Sequence, residues 1–119
     1  MTIRALVWGE NVHEQENPLV ARIYPEGMHT AVAGALNADT GIRAETAVRQ
    51  DEGHGITRAR LARTDVLLWW GHAAHGRVAD ETVEMVAEAV WSGLGLIVLH
   101  SGHFSKIFRR RMGTPCNLT

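Results

Sequence analysis

Cysteine is almost absent from this sequence, with Cys116 the only one in 119 residues. No intrachain disulfide can form, so a reducing cytoplasm is the expected compartment. Cys116 itself reads as a small buried hydrophobe, not a nucleophile. The opening Met1-Thr2-Ile3-Arg4 leads straight into a short apolar run without a cleavage-site pattern, so no signal peptide is expected. No apolar run approaches the roughly 18 residues that a bilayer-spanning helix requires. A nucleotide cofactor is disfavoured as well. The sequence lacks G-x-G-x-x-G after its first strand and G-x-x-x-x-G-K-[ST] anywhere, and Gly93-Leu94-Gly95 precedes a strand instead of opening a helix. The net charge of −1 argues against nucleic acid or an anionic membrane as the main partner. Acidic residues also run out after Glu88, while Lys106, Arg109, Arg110 and Arg111 follow. That cationic stretch reads as a solvated helix face, with an anion site as the alternative.

What is present suffices for one globular domain: 45% of the residues are hydrophobic and 21% charged. Ile3 to Trp8 reads as a strand and Gly9 to Glu16 as a loop. Asn17-Pro18 is a helix start, cap followed by proline. Pro25 interrupts that helix, and Met28, Ala31, Val32, Ala35 and Leu36 recur as one face of the next. Ile42 to Val48 alternates like a strand, and Thr57 caps a short helix. Val66 to Trp70 is an unbroken apolar strand, the pattern of burial on both faces. Asp80 is expected to cap a helix with Val83, Val86, Ala87 and Val90 inward. Gly95 to Leu99 reads as a fully buried strand, followed by a polar corner and an amphipathic run through Phe104, Ile107 and Phe108. The resulting β-α-β-α-β-α-β-α order predicts a doubly wound parallel sheet, α/β in class, in a single domain.

Ligands of such sheets bind beyond the carboxyl ends of the strands. Those ends carry His13, His54, His72, His75, His100 and His103, and His29 lies early in a helix that can reach the same side. Seven histidines in so short a chain draw attention to metal and to proton transfer. His72/His75 and His100/His103 repeat an H-x-x-H spacing, compatible with zinc or another divalent metal but weakly specific. Ser101 stands in H-S-G-H, not G-x-S-x-G, which disfavours a serine nucleophile. A polyhydroxylated ligand would find polar partners in Glu10, Asn11, His72, His75, His100, Ser101 and Lys106. Trp8, Trp70 or Phe104 could supply an apolar platform, unless the tryptophans merely end buried strands.

The segments LVWGENVHEQENP, IYPEGMHTAVAGAL, DVLLWWGHAAH and GLIVLHSGHFSKIFRRRMGT together closely resemble the ThuA-like trehalose-utilisation proteins, over about Ile3 to Leu118. The resemblance implies a class I glutamine-amidotransferase-like fold, a flavodoxin-like α/β/α sandwich in three layers. In amidotransferases the turn after the equivalent strand reads like C-L-G-H, with a cysteine nucleophile. Here histidine takes that place in His100-Ser101-Gly102-His103, so amidotransferase activity is not implied. What the resemblance does imply is carbohydrate catabolism, with trehalose or a keto-sugar as ligand. The site residues it carries over are Glu10, Asn11, His13, His29, His72, His75, His100 and His103. Among them His75, His100 and His103 are the expected acid–base groups, or with His72 the expected metal ligands. The other class of function is a non-catalytic sugar-binding or scaffold domain with a vestigial elbow. Family members look about twice as long, so the chain is expected to be the N-terminal part of the domain. The incomplete sheet is in turn expected to form a homo-oligomer.

Overall fold

The computed structural model describes residues 1–114, so Cys116 and the end of the ThuA-like segment lie outside the described residues. Four strands, β1 (Ile3–Gly9), β2 (Ile42–Val48), β3 (Val66–Trp70) and β4 (Gly95–Val98), form one parallel sheet in the order β2-β1-β3-β4. The helices are α1 (His13–Glu16), α2 (Pro18–Ile23), α3 (Met28–Asn37), α4 (Arg58–Ala62), α5 (Asp80–Trp91) and α6 (Lys106–Met112). Helices flank both faces of the sheet, which makes the fold a small α/β domain of the flavodoxin-like kind.

The unbroken apolar runs of β1 and β3 follow from that layering, because alternate side chains leave a strand on opposite faces. Leu6, Trp8, Leu67 and Trp69 share one core with Leu61 of α4, Val83, Val86 and Ala87 of α5, and Ile107 of α6. Ala5, Val7 and Leu68 share the other with Ala33 of α3. Trp8 and Trp69 stack at the middle of the first core, 3.8 Å between ring centroids and 10° from parallel. Burial of each such large side chain stabilises the fold by roughly 2 kcal/mol.

Two caps match their sequence signals, and a third, at Ser105, was not singled out in the sequence. Asn17 Oδ1 accepts from the Leu19 and Val20 amides at 3.0 and 3.4 Å, ahead of Pro18. Thr57 Oγ1 accepts from Arg60 N at 3.0 Å, and Ser105 Oγ accepts from Phe108 N at 3.3 Å to open α6. Such a cap is worth about 1 kcal/mol.

Several details differ from the reading of the sequence. His13–Glu16 is a helical turn, not a loop. Asp80 is the first helical residue after Ala79 and makes no cap; its carboxylate meets Lys106 instead. In α3, Val32 and Leu36 of the expected face pack against the core with Ala33, while Ala31 and Ala35 are exposed. The strand expected over Gly95 to Leu99 ends at Val98 and is not fully buried. Ile97 is 49% exposed, because it sits beside Leu68 on the face that α3 covers, and α3 packs over β1 and β2. Only one edge of β4 is paired among the described residues.

Candidate functional site

A parallel sheet in the order 2-1-3-4 has its switch point between β1 and β3, where the chain leaves the two strands in opposite directions and opens a crevice. Glu10 follows β1 there, and Gly71 to His75 follow β3. Glu10 is only 1% exposed. Its backbone amide donates to Trp70 O at 3.2 Å, and its carboxylate accepts from Ala73 N and, at 2.9 Å, from Ala74 N. Two charge-assisted bonds to consecutive amides shape the loop that carries His72 and His75. Glu10 therefore holds the floor of the crevice, and both of its oxygens are engaged within the protein.

His75 lies over Gly71, where an added Cβ would sit 3.0 Å from His75 Nδ1 and 3.1 Å from Glu10 Oε2. The backbone at Gly71 thus approaches both groups at a distance that a larger residue would crowd. His75 Nε2 is buried without a hydrogen-bond partner. Burial pushes the His75 imidazole below its ordinary pKa; Glu10 pulls it back up, while His72, Arg109 and His103 add to the depression. Burial thus favours the neutral ring, which keeps one unsatisfied nitrogen.

His72 is exposed on the same loop. Its Nδ1 lies 3.2 Å from Ser101 Oγ, which also donates to Gly71 O at 3.0 Å. Its ring meets the edge of His13 at 4.8 Å between centroids and runs parallel to Trp70 at 6.3 Å. The corner after β4 brings Ser101 to this point. Gly102 is buried there because a Cβ would lie 2.8 Å from Val98 Cγ1 and 3.2 Å from Trp69 O. His100 carries the turn with φ of 41°, a left-handed conformation rarely taken by a residue with a side chain. The strained elbow is thus present, and the exposed residue on it is an imidazole. His103 stacks at a tilt on Phe104, 4.0 Å between centroids, with Arg109 on that ring at 5.9 Å.

The expected residues therefore divide. His13, His72, His75 and Ser101 gather at the switch point, with His103 beside His75. His29 packs against Gly9 and Gly27 and lines a small cavity with Trp70 and Leu99. Its Nδ1 and Glu14 Oε1 are both buried without partners. Burial depresses the His29 pKa despite the pull of Glu14 and Asp51. Asn11, in a left-handed turn, accepts from Gln15 Nε2 through its side chain and from Gln50 Nε2 through its carbonyl. Lys106 is taken up elsewhere, its Nζ donating to Val78 O and Asp80 Oδ1, both at 2.8 Å. His54 is a structural clasp: Ala79 N donates to its Nε2 at 3.0 Å, so its Nδ1 carries the proton given to Arg49 O at 2.7 Å. Trp8 and Trp70 are buried at 1% and 8% exposure, so neither offers a platform, whereas Phe104 is 37% exposed.

The four-histidine metal set is not assembled. Among the described residues, no three His, Cys, Asp or Glu side chains come together in a way that could hold a metal ion. The i, i+3 spacing lies in irregular turns, not on one helical face. His72 accordingly faces Ser101, His75 faces Gly71 and Glu10, and His103 faces Phe104. The cationic stretch is likewise partnered across space: Lys106 with Asp80, Arg110 with Glu84, and Arg111 on Trp91. A cleft of about 440 Å3 lies at the opposite end of the sheet, between the Arg4–Asp65 and Arg58–Glu88 pairs. It is remote from the strands' carboxyl ends and holds no histidine.

Sequence reasoning did not single out Glu14, whose Oε2 accepts from Met28 N at 2.9 Å. A glutamate in a short polar segment carries no signal of burial.

The fold and the crevice define a flavodoxin-like α/β domain with imidazoles at its switch point. The model of the trehalose-utilisation family, ThuA, matches residues 4–117, and the chain belongs to that family. No curated protein matches the chain. No helix of the described residues is long and apolar enough to cross a membrane.

Proposed function

We propose that the chain serves trehalose utilisation by binding a disaccharide, trehalose or its 3-keto derivative, in the crevice between the ends of β1 and β3. The observation that carries this reading is the convergence of His13, His72, His75 and Ser101 above the amides pinned by Glu10. A sugar hydroxyl both donates and accepts, and imidazole nitrogens and a serine hydroxyl can do the same. Phe104, exposed beside His75 and His103, supplies an apolar surface for a pyranose face. If turnover follows binding, a crevice imidazole is the acid–base group.

A second reading, a sugar-binding domain without chemistry, is favoured by one observation. The elbow keeps its strained backbone at His100 but exposes no thiol or hydroxyl there. Calorimetric titration with trehalose and with 3-keto-trehalose, followed by a turnover assay, separates the two. Binding with turnover is expected for the first reading and binding alone for the second. No binding of either sugar would refute both.

A further inference from the structure

We infer that Ser101 fixes His72 as the Nδ1–H tautomer, making His72 Nε2 the hydrogen-bond acceptor that the crevice presents to its ligand. The argument is a count of protons. Ser101 Oγ makes two close contacts, to Gly71 O at 3.0 Å and to His72 Nδ1 at 3.2 Å. A hydroxyl has one proton to give and two lone pairs with which to accept. The Gly71 carbonyl can only accept, so the Ser101 proton goes there. The contact to His72 is then satisfied only if Nδ1 carries a hydrogen and donates it to Oγ. A neutral imidazole holds one N–H, so Nε2 is left with its lone pair. The partner of one ring nitrogen thus sets what the other can do, as in the ligand shells of metal sites.

This assignment rests on the sugar-binding reading for its ligand and not for its geometry. His72 is exposed, and it is the ring that joins the loop after β3 to the elbow after β4. A sugar hydroxyl that reaches Nε2 donates a hydrogen bond to this lone pair, its proton staying on oxygen. Nδ1–H stays on Ser101 throughout, so the surrounding bonds need no rearrangement. Ser101 is accordingly a positioning residue and His72 the acceptor.

The test is the protonation pattern of the histidine ring nitrogens, read by long-range proton–nitrogen NMR on the labelled full chain at mildly alkaline pH. His72 is assigned by the signals lost in His72→Gln. Wild type is expected to carry the proton on His72 Nδ1. Ser101→Ala should lose that pattern and return His72 to the Nε2–H form that free imidazole prefers, while Ser101→Thr retains it. His54, held as Nδ1–H by Ala79 and Arg49, is the internal control for folding. An Nε2–H ring at position 72 in wild type, or a ring unmoved by Ser101→Ala with His54 intact, would overturn the inference. Saturating 3-keto-trehalose should then shift His72 Nε2 above all. A response of His13 or His75 without His72 would refute the acceptor role and leave sugar binding standing. Silence from every rim histidine would count against the sugar reading, with the tautomer already decided.

Discussion

At the scale of single residues, Glu10 carries the clearest structural debt. Its carboxylate is buried and takes the amides of Ala73 and Ala74. Glu10→Ala leaves two amide protons unsatisfied at the base of the crevice, each costing about 1–3 kcal/mol. We expect a loss of about 3 kcal/mol in urea unfolding, with sugar binding falling in the protein that remains folded. Unchanged stability would mean that the loop is held by other contacts. His29 and His75 act in the opposite sense, because burial lowers the pKa of both from the ordinary 6.5. The folded chain then binds fewer protons than the unfolded chain once pH drops below that value. Their stabilising contribution is complete above 6.5 and is lost as pH falls through the lowered folded values. Unfolding midpoints should therefore hold above pH 6.5 and decline as the pH falls below it. Replacing both histidines by glutamine should flatten that decline, and a decline of equal steepness would exclude them as its source. Residue types were legible in the sequence, but their partners were not. Lys106 read as a ligand group because Asp80, 26 positions away, is adjacent only after folding. Trp8 and Trp70 stayed open between platform and core because an aromatic at a strand end has the same spelling whether it faces ligand or core.

Elements were more legible, and the reason is period. The strands over Val66 to Trp70 and Ile42 to Val48, and the caps at Asn17 and Thr57, follow from local patterns of one or two turns. The short α1 was not legible, since four polar residues cover too little helix for a stripe to emerge. The corner after β4 is an element in its own right, and Gly102 makes it possible by closing against Val98 and the Trp69 carbonyl. Gly102→Ala would force a methyl to within 2.8 Å of Val98 Cγ1, with backbone on its other side. Overpacking of this kind costs about 1–3 kcal/mol. Differential scanning calorimetry should record a lowered midpoint, and the Ser101–His72 contact should loosen with it. A neutral outcome would imply that the corner can shift as a body.

Over the whole molecule, the four strands do not close their own sheet. One edge of β4 is unpaired among the described residues, Ile97 is half exposed, and a groove of Val90, Leu96, Val98, Phe108 and Met112 runs beside it. An open apolar edge of this kind is a template for a further strand. We expect the isolated 119-residue chain to associate with a second copy at micromolar concentration, and Ile97→Lys to reverse this by placing a charge on the edge. Sedimentation as a compact monomer would count against it. The topology was readable because alternating strands and helices admit few arrangements. The open edge of β4 was anticipated from the family resemblance and not from the strand itself, because an apolar run says that a strand wants covering and not whether it is covered.

The stacked indoles of Trp8 and Trp69 give the protein an optical signature of its own. Two indole planes stacked 3.8 Å apart couple their excited states, and their near-ultraviolet circular dichroism should carry a contribution that depends on this contact. The pair joins the two central strands, so that contribution should survive fraying of the edges and vanish only when β1 and β3 part. Trp91, 82% exposed on α5, should instead dominate the quenchable fluorescence. If the two signals fade at different denaturant concentrations, the periphery melts before the sheet; if they fade together, the domain unfolds as one cooperative unit.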